Sequence, residues 1–220
     1  MFEKMKGMTL KQKIGYYIEY YGVITLVILA AIIVAITFIV QQVQAREQVA
    51  GVILVNSTTM MTEETKEQEY MNDLLASLDI DPDKNEIYVN GGIQLGEGID
   101  GTMAASSIQV LQTLIMSHSV DIAFTDESYR DSFIRNECLD DLRDYLDDEI
   151  LEKYADDIIY FTSTETGEEI AAMIRVSPDS KWMQGMKWYT GDCYAGIIVK
   201  PQNKDVAVHM LLRALGEEEF

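Results

Sequence analysis

Between Gly22 and Gln41 the chain reads GVITLVILAAIIVAITFIVQ, with no charged residue and no proline. As a helix this run spans roughly 30 Å, the thickness of a bilayer's hydrocarbon core, so a transmembrane helix is predicted over residues 22–41. Residues 42–50 (QVQAREQVA) are polar helix formers and read as a short juxtamembrane continuation. Beyond them the pattern changes to short alternating elements. Val52–Val55 is a β-branched run closed by Asn56, Ser57 and Thr58, which predicts a buried strand ending in a loop. From Thr62 a cap and early acids precede Tyr70, Met71, Leu74, Leu75 and Leu78 at helical spacing, and Pro82 ends that helix.

A second strand is expected at Glu86–Val89, then a glycine-rich loop over Gly91–Gly101 and a helix over Thr102–Ser117. Val120–Phe124 reads as a third strand and Asp126–Arg135 as a third helix. Leu139–Tyr154 reads as an acidic helical stretch, with Leu139, Leu142, Tyr145 and Leu146 turned inward. Strand–helix alternation at this spacing predicts right-handed crossovers and a mostly parallel sheet. Ile158–Thr162 and Glu169–Val176 then form a hairpin signal around Gly167, and Ala195–Val199 a last strand before a helix over Asp205–Leu215. The expected fold class is α/β: one three-layer lobe over 51–216 with a β-hairpin, behind an N-terminal transmembrane helix, and an acidic tail at 217–220.

Charge adds an orientation. Acidic residues number 37 against 17 basic, a formal net of −20, which argues against a nucleic-acid-binding surface because phosphates are repelled. Residues 1–21 nevertheless carry +2, leaving −22 for the remainder. The positive-inside rule then puts the basic segment in the cytoplasm and the lobe outside, with Tyr16, Tyr17, Tyr20 and Tyr21 at the headgroup layer. The predicted location is the cell membrane, with lipid as the partner of residues 22–41. Gly22, Ala30, Ala31 and Ala35 would also allow close packing against another helix. Cleavage after Ala45 is the competing reading, but the apolar run is longer than a signal peptide's core.

Several sequence features invite chemistry. GEGIDG, with Gly96, Gly98 and Gly101, has dinucleotide-loop spacing, yet Glu97 and Asp100 set negative charge where phosphates would lie. Asp79, Asp81 and Asp83 alternate like the start of a calcium loop, but Lys84 and Asn90 replace the glycine and bidentate glutamate that such a loop needs. Cys138 and Cys193 lie in the outward part, where a disulfide is permitted, although a domain of this size needs none. Trp182, Trp188, Tyr189 and Tyr194 form either a stacking platform or core aromatics. The only histidines, His118 and His209, sit in helical patterns, and no nucleophile elbow, HExxH or zinc-spaced cysteine set occurs, which favours a non-enzyme without a cofactor.

The segment VDIAFTDESYRDSFIRNECLDDLRDYL, with Asp126, Phe133, Leu139 and Leu142, resembles a strand, helix and turn of type II extracytoplasmic solute-binding proteins. The closing YAGIIVKPQNKDVAVHMLLRAL, where Asn203 precedes a helix, resembles the strand–helix return of the same lobe. The resemblance implies one lobe of a two-lobed family, with the hairpin around Gly167 standing where the second lobe would grow. It therefore implies an anchored interaction or accessory module of a membrane or envelope assembly. The alternative is a receptor for a small solute, peptide or glycan, built from loops near Asn56, Ser57, Gly91, Gly92 and Asp126, with Trp188 nearby. An envelope hydrolase is a third, minor reading.

Overall fold

The computed structural model describes residues 9–44, 46–58, 64–96 and 98–218, and divides the chain into two units, residues 1–45 and 46–220. The first unit is one helix, α1 (Leu10–Gln44). Its described side chains run unbroken from Tyr21 to Thr37, and from Val23 to Thr37 all are exposed, the apolar ones included. Among the described residues no helix is long and apolar enough to cross a membrane. The stretch from Tyr21 to Thr37 amounts to about 25 Å of helix against a core of roughly 30 Å.

The second unit is α/β. Its strands are β1 (Glu47–Val55), β2 (Asn85–Ile93), β3 (Ile122–Thr125), β4 (Ile158–Thr162), β5 (Glu169–Val176) and β6 (Cys193–Ile197). They form a single sheet in the order β2-β1-β3-β6-β5-β4. The helices between them are α2 (Glu64–Ser77), α3 (Gly101–Met116), α4 (Glu127–Arg135), α5 (Asp148–Lys153), α6 (Lys181–Met186) and α7 (Lys204–Leu215).

The sheet is mixed, which corrects the expectation of a mostly parallel one. β1 is parallel to β2 and β3, as the two crossover helices α2 and α3 require, whereas β6 returns antiparallel to β3, and β5 and β4 continue antiparallel. Three boundaries also move. β1 begins at Glu47: of the residues read as a juxtamembrane helical continuation, Gln42–Gln44 do continue α1, whereas Glu47–Ala50 are strand, held by a bond from Glu47 N–H to the Lys84 carbonyl. β2 extends through Gly91 and Gly92, which are strand and not loop. Leu139–Tyr154 is not one helix: Leu139 bridges to Ile198, Leu142–Asp144 is a 3₁₀ turn capped by Asp141, and only α5 is helical. Asp141 caps the 3₁₀ turn by accepting the Arg143 N–H, and Asp147 stands at the start of α5, so the chain restarts within this stretch. The proposed cap at Thr62 lies outside the described residues.

Helices cover both faces of the sheet, giving three layers. Val52, Leu54, Ile122 and Phe124 face α2, α6 and α7, while the alternating Ile53, Val55 and Ala123 face α3 and α4. The uncharged run of β1 is thus buried on both sides. Four of the covering helices start on a side-chain cap: Asp100 for α3, Asp126 for α4, Ser180 for α6 and Asn203 for α7.

One buried carboxylate joins the parallel and antiparallel halves. Asp121, 1% exposed, accepts the Gly51 N–H at 2.7 Å and the Asn203 N–H at 2.8 Å. Its backbone adds bonds to the Gly51 carbonyl and from the Ile198 N–H, both 2.8 Å. Gly51 is required here because a Cβ would sit 2.0 Å from the Ser119 carbonyl oxygen. Burial holds the Asp121 carboxyl above its ordinary pKa, against the lowering effect of the three backbone N–H groups of Asn203, Gly51 and Gln202.

We predict that Asp121→Asn destabilises the fold by about 1–3 kcal/mol, because an amide NH₂ then faces a backbone donor. A raised carboxyl contributes stability that is complete below its unfolded pKa and is lost as pH rises through its folded pKa. Urea unfolding of the two proteins across pH should therefore show their stability gap narrowing from acid to neutral pH.

Candidate functional site

The parallel strands β1 and β3 end side by side, and the chain leaves them in different directions. β1 leads to α2 on one face of the sheet, β3 to α4 on the other. Such a switch point leaves a crevice at the carboxyl ends of the strands, the usual ligand position in open α/β sheets. A cavity of about 560 Å³ lies there, lined by Asn56, Thr58, Asp126, Ser128, Tyr189 and Asp192, with Glu127, Thr190 and Gly191 beside them.

Asn56 organises its rim. It follows β1 directly and takes the left-handed conformation (φ 58°) that asparagine tolerates better than most residues. Its side-chain oxygen accepts the Leu95 N–H at 2.7 Å, and its amide donates to Asp126 Oδ1 at 3.0 Å and Ser128 Oγ at 3.1 Å. The Ser128 hydroxyl donates in turn to Asp126 at 2.8–2.9 Å, and Asp126 caps α4 through the Tyr129 N–H. One asparagine thus fastens the ends of β1, β2 and β3 together.

Tyr189 makes the floor. Its buried hydroxyl lies 2.8 Å from the Val55 carbonyl and 2.9 Å from the Phe124 carbonyl, donating to the carboxyl ends of both strands. Burial pushes this phenol well above its ordinary pKa, so it stays a proton donor. Three carboxylates, Asp126, Glu127 and Asp192, line the crevice, and among the described residues no lysine or arginine does. Arg175 reaches Asp192 from the side at 3.5 Å. The arrangement suits polar hydrogen bonding and positive charge. Among the lining residues there is no cysteine, lysine or histidine to act as a nucleophile or a base near neutral pH.

The residues picked out from the sequence divide. Asn56 and Asp126 meet in the crevice. Ser57 instead donates to the Gly91 carbonyl at 3.3 Å, and Gly92 lines a separate cavity against α3. Trp188 is fully buried, edge-on to Phe124 and Trp182, with its Nε1–H on Glu67 at 2.8 Å, so it is a core aromatic and not a stacking platform. Ser128 and the segment Thr190–Asp192 were missed, although the Thr-Gly-Asp turn before β6 carried a loop signal, and Tyr189 was named only as a stacking or core aromatic.

The weaker motifs resolve locally. Asp81 is committed to Lys84 at 2.9 Å and to the Asp83 N–H, and Asp79 is a left-handed turn residue. Among the described residues no group of three His, Cys, Asp or Glu side chains is placed to hold a metal ion. In GEGIDG, Glu97 lies outside the described residues, and the Asp100 carboxylate occupies the α3 N-terminus where a phosphate would bind. Cys138 and Cys193 are free thiols and cannot pair within the chain. The Cys138 carbonyl is bonded to Val199, beyond the far end of β6 from Cys193, and six residues of strand is about 20 Å against the roughly 7 Å limit for a disulfide.

Comparison with protein-family models, curated proteins and solved structures finds no match to the chain. The crevice is therefore read from its own geometry.

Burial pushes the Cys138 thiol up to about 11 and the Cys193 thiol further still. In the folded protein at pH 7.5, iodoacetamide should label neither residue on the timescale that labels both in 6 M guanidinium. Mass spectrometry of the alkylated chain checks this, and rapid native labelling of Cys193 would contradict its burial.

Proposed function

We propose that the chain is a single-pass, membrane-tethered interaction module. In this reading α1 crosses the membrane with the lysine-rich segment in the cytoplasm and displays the α/β lobe outside, as an accessory subunit of a membrane or envelope assembly. The observation that carries it is a 35-residue helix whose described apolar side chains from Val23 to Ile36 are all exposed, attached to a body with its own closed core. Such a surface is stable in lipid and costly in water. The basic excess before the apolar run and the acidity after it support the orientation.

A second reading, a receptor for a small solute, is favoured by the crevice at the ends of β1 and β3. It agrees with the resemblance to solute-binding proteins in where a ligand would sit, but one lobe offers a shallow site and no opposing lobe to close over it.

Two measurements test these readings. Protease added to intact cells should degrade the lobe and leave the lysine-rich segment protected; protection of the lobe would overturn the proposed topology. For the receptor reading, the full-length chain in detergent should melt higher with increasing concentration of one compound among amino acids, amines and sugars. A ligand at 100 times its Kd adds about 2.7 kcal/mol. The shift should vanish in Asp192→Ala, and a flat response across the panel would remove the receptor reading.

A further inference from the structure

Large apolar side chains are exposed at few places on the lobe, and most of them stand on one helix. Met103, Ile108, Val110 and Met116 are all exposed on α3, Met103 at 53% and Met116 at 80%, whereas among the described residues of the lobe only Tyr88 and Tyr160 are exposed elsewhere. α3, GTMAASSIQVLQTLIM, contains no acidic or basic residue. Every other helix of the lobe carries at least one. Depletion of charge together with enrichment in methionine is the composition of an interface core, not of a surface that stays in water.

The order of residues along the helix has a direction. Ala105, Ile108, Gln112 and Met116, all exposed, recur at helical spacing and share one side of α3. This stripe is small at its N-terminal end and large at its C-terminal end. Asp100 caps the first end, and the exposed His118 follows the second. Two such helices packed antiparallel set Met116 against Ala105 and bring Gln112 near its own symmetry mate, where each amide can donate and accept. They also set Asp100 towards His118 and oppose the two helix dipoles. Parallel packing sets Met116 against Met116 and Asp100 against Asp100.

We propose that α3 is the contact between two copies of this chain, paired antiparallel about a two-fold axis. An isologous contact must be complementary to itself, and the small-to-large order of the stripe meets that condition in the antiparallel sense. A chain of net charge −20 repels its own copies, and α3 keeps charge out of the contact itself. The same composition disfavours other occupants: the helix offers no carboxylate to a basic partner, and no lysine or arginine to an anionic lipid surface. α3 is about 24 Å long, and one helix of that length offers less than the roughly 800 Å² per partner of a standard interface. The pairing is therefore weak between free copies and gains from confinement of the copies to one membrane, which raises their effective concentration. The inference rests on the reading of the chain as a membrane-tethered interaction module, and it names a second copy as the partner.

Sedimentation equilibrium of the full-length chain in detergent micelles tests this. A monomer–dimer equilibrium is expected, with no larger species, because an isologous contact closes at two copies. Gln112→Glu and Gln112→Lys should each weaken the dimer roughly tenfold, since like charges then face each other near the axis, and an equal mixture of the two variants should restore it. Met116→Glu should also weaken it, while Tyr160→Glu, the same apolar-to-acid change at an exposed position on β4, leaves it unchanged. Unaltered melting of the variants excludes a folding effect. A chain that stays monomeric, a dimer equally strong in every variant, or a mixture that does not recover would each overturn the proposal, the second outcome in favour of a contact through α1. The protease experiment reads topology alone, so a failed tether and a failed α3 contact give different results.

Discussion

The lobe depends on the Asp121 carboxylate. A buried acid without partners would unfold a domain of this size, so its bonds to Gly51 and Asn203 are conditions of folding and not additions to it. Because Gly51 belongs to β1 and Asn203 caps α7, the same carboxylate fixes the parallel half of the sheet to the antiparallel return that closes it. The requirement for glycine at position 51 follows, since β1 must pass against the Ser119 backbone for the N–H to reach the acid.

Tyr189 does the matching work at the other end of β1 and β3. With Asp121 near the start of the strand pair and the phenol at its carboxyl end, the two strands are held in one register along their shared length. The crevice is a consequence. Its shape comes from chain direction, as β1 and β3 depart to opposite faces, and its rigidity from Asn56, which binds the ends of three strands. The free edge of β2 has the same origin. β2 is the outermost strand because the crossovers through α2 and α3 lay it beside β1, and no later described strand returns to that side.

Much of this could be read in the sequence, and the reasons are local. Burial on both faces made β1 visible as an unbroken apolar run, and Asp126 and Asn203 announced α4 and α7 through capping chemistry. Pairing direction was not legible. β6 looks like any apolar strand, and only the long-range contact with β3 decides that it runs antiparallel. The acidic stretch after Leu139 had helical spacing, yet Asp141 and Asp147 start new turns within it. Of the site, Asn56 and Asp126 were legible because they end strands, whereas Ser128, Tyr189 and Asp192 come from segments joined only by the fold. Trp188 could be read either as a stacking platform or as core, because an indole in a polar segment gives no sign of the Glu67 bond that satisfies it.

Native-state hydrogen exchange of the Gly51 and Asn203 amides tests the central role of Asp121 most directly. Both N–H groups should exchange only with global unfolding, showing the same free energy and the same denaturant dependence as the whole lobe. Exchange of Asn203 by a separate, lower-energy opening would mean that α7 and the antiparallel return come away on their own, and that the carboxylate does not hold the two halves as one unit.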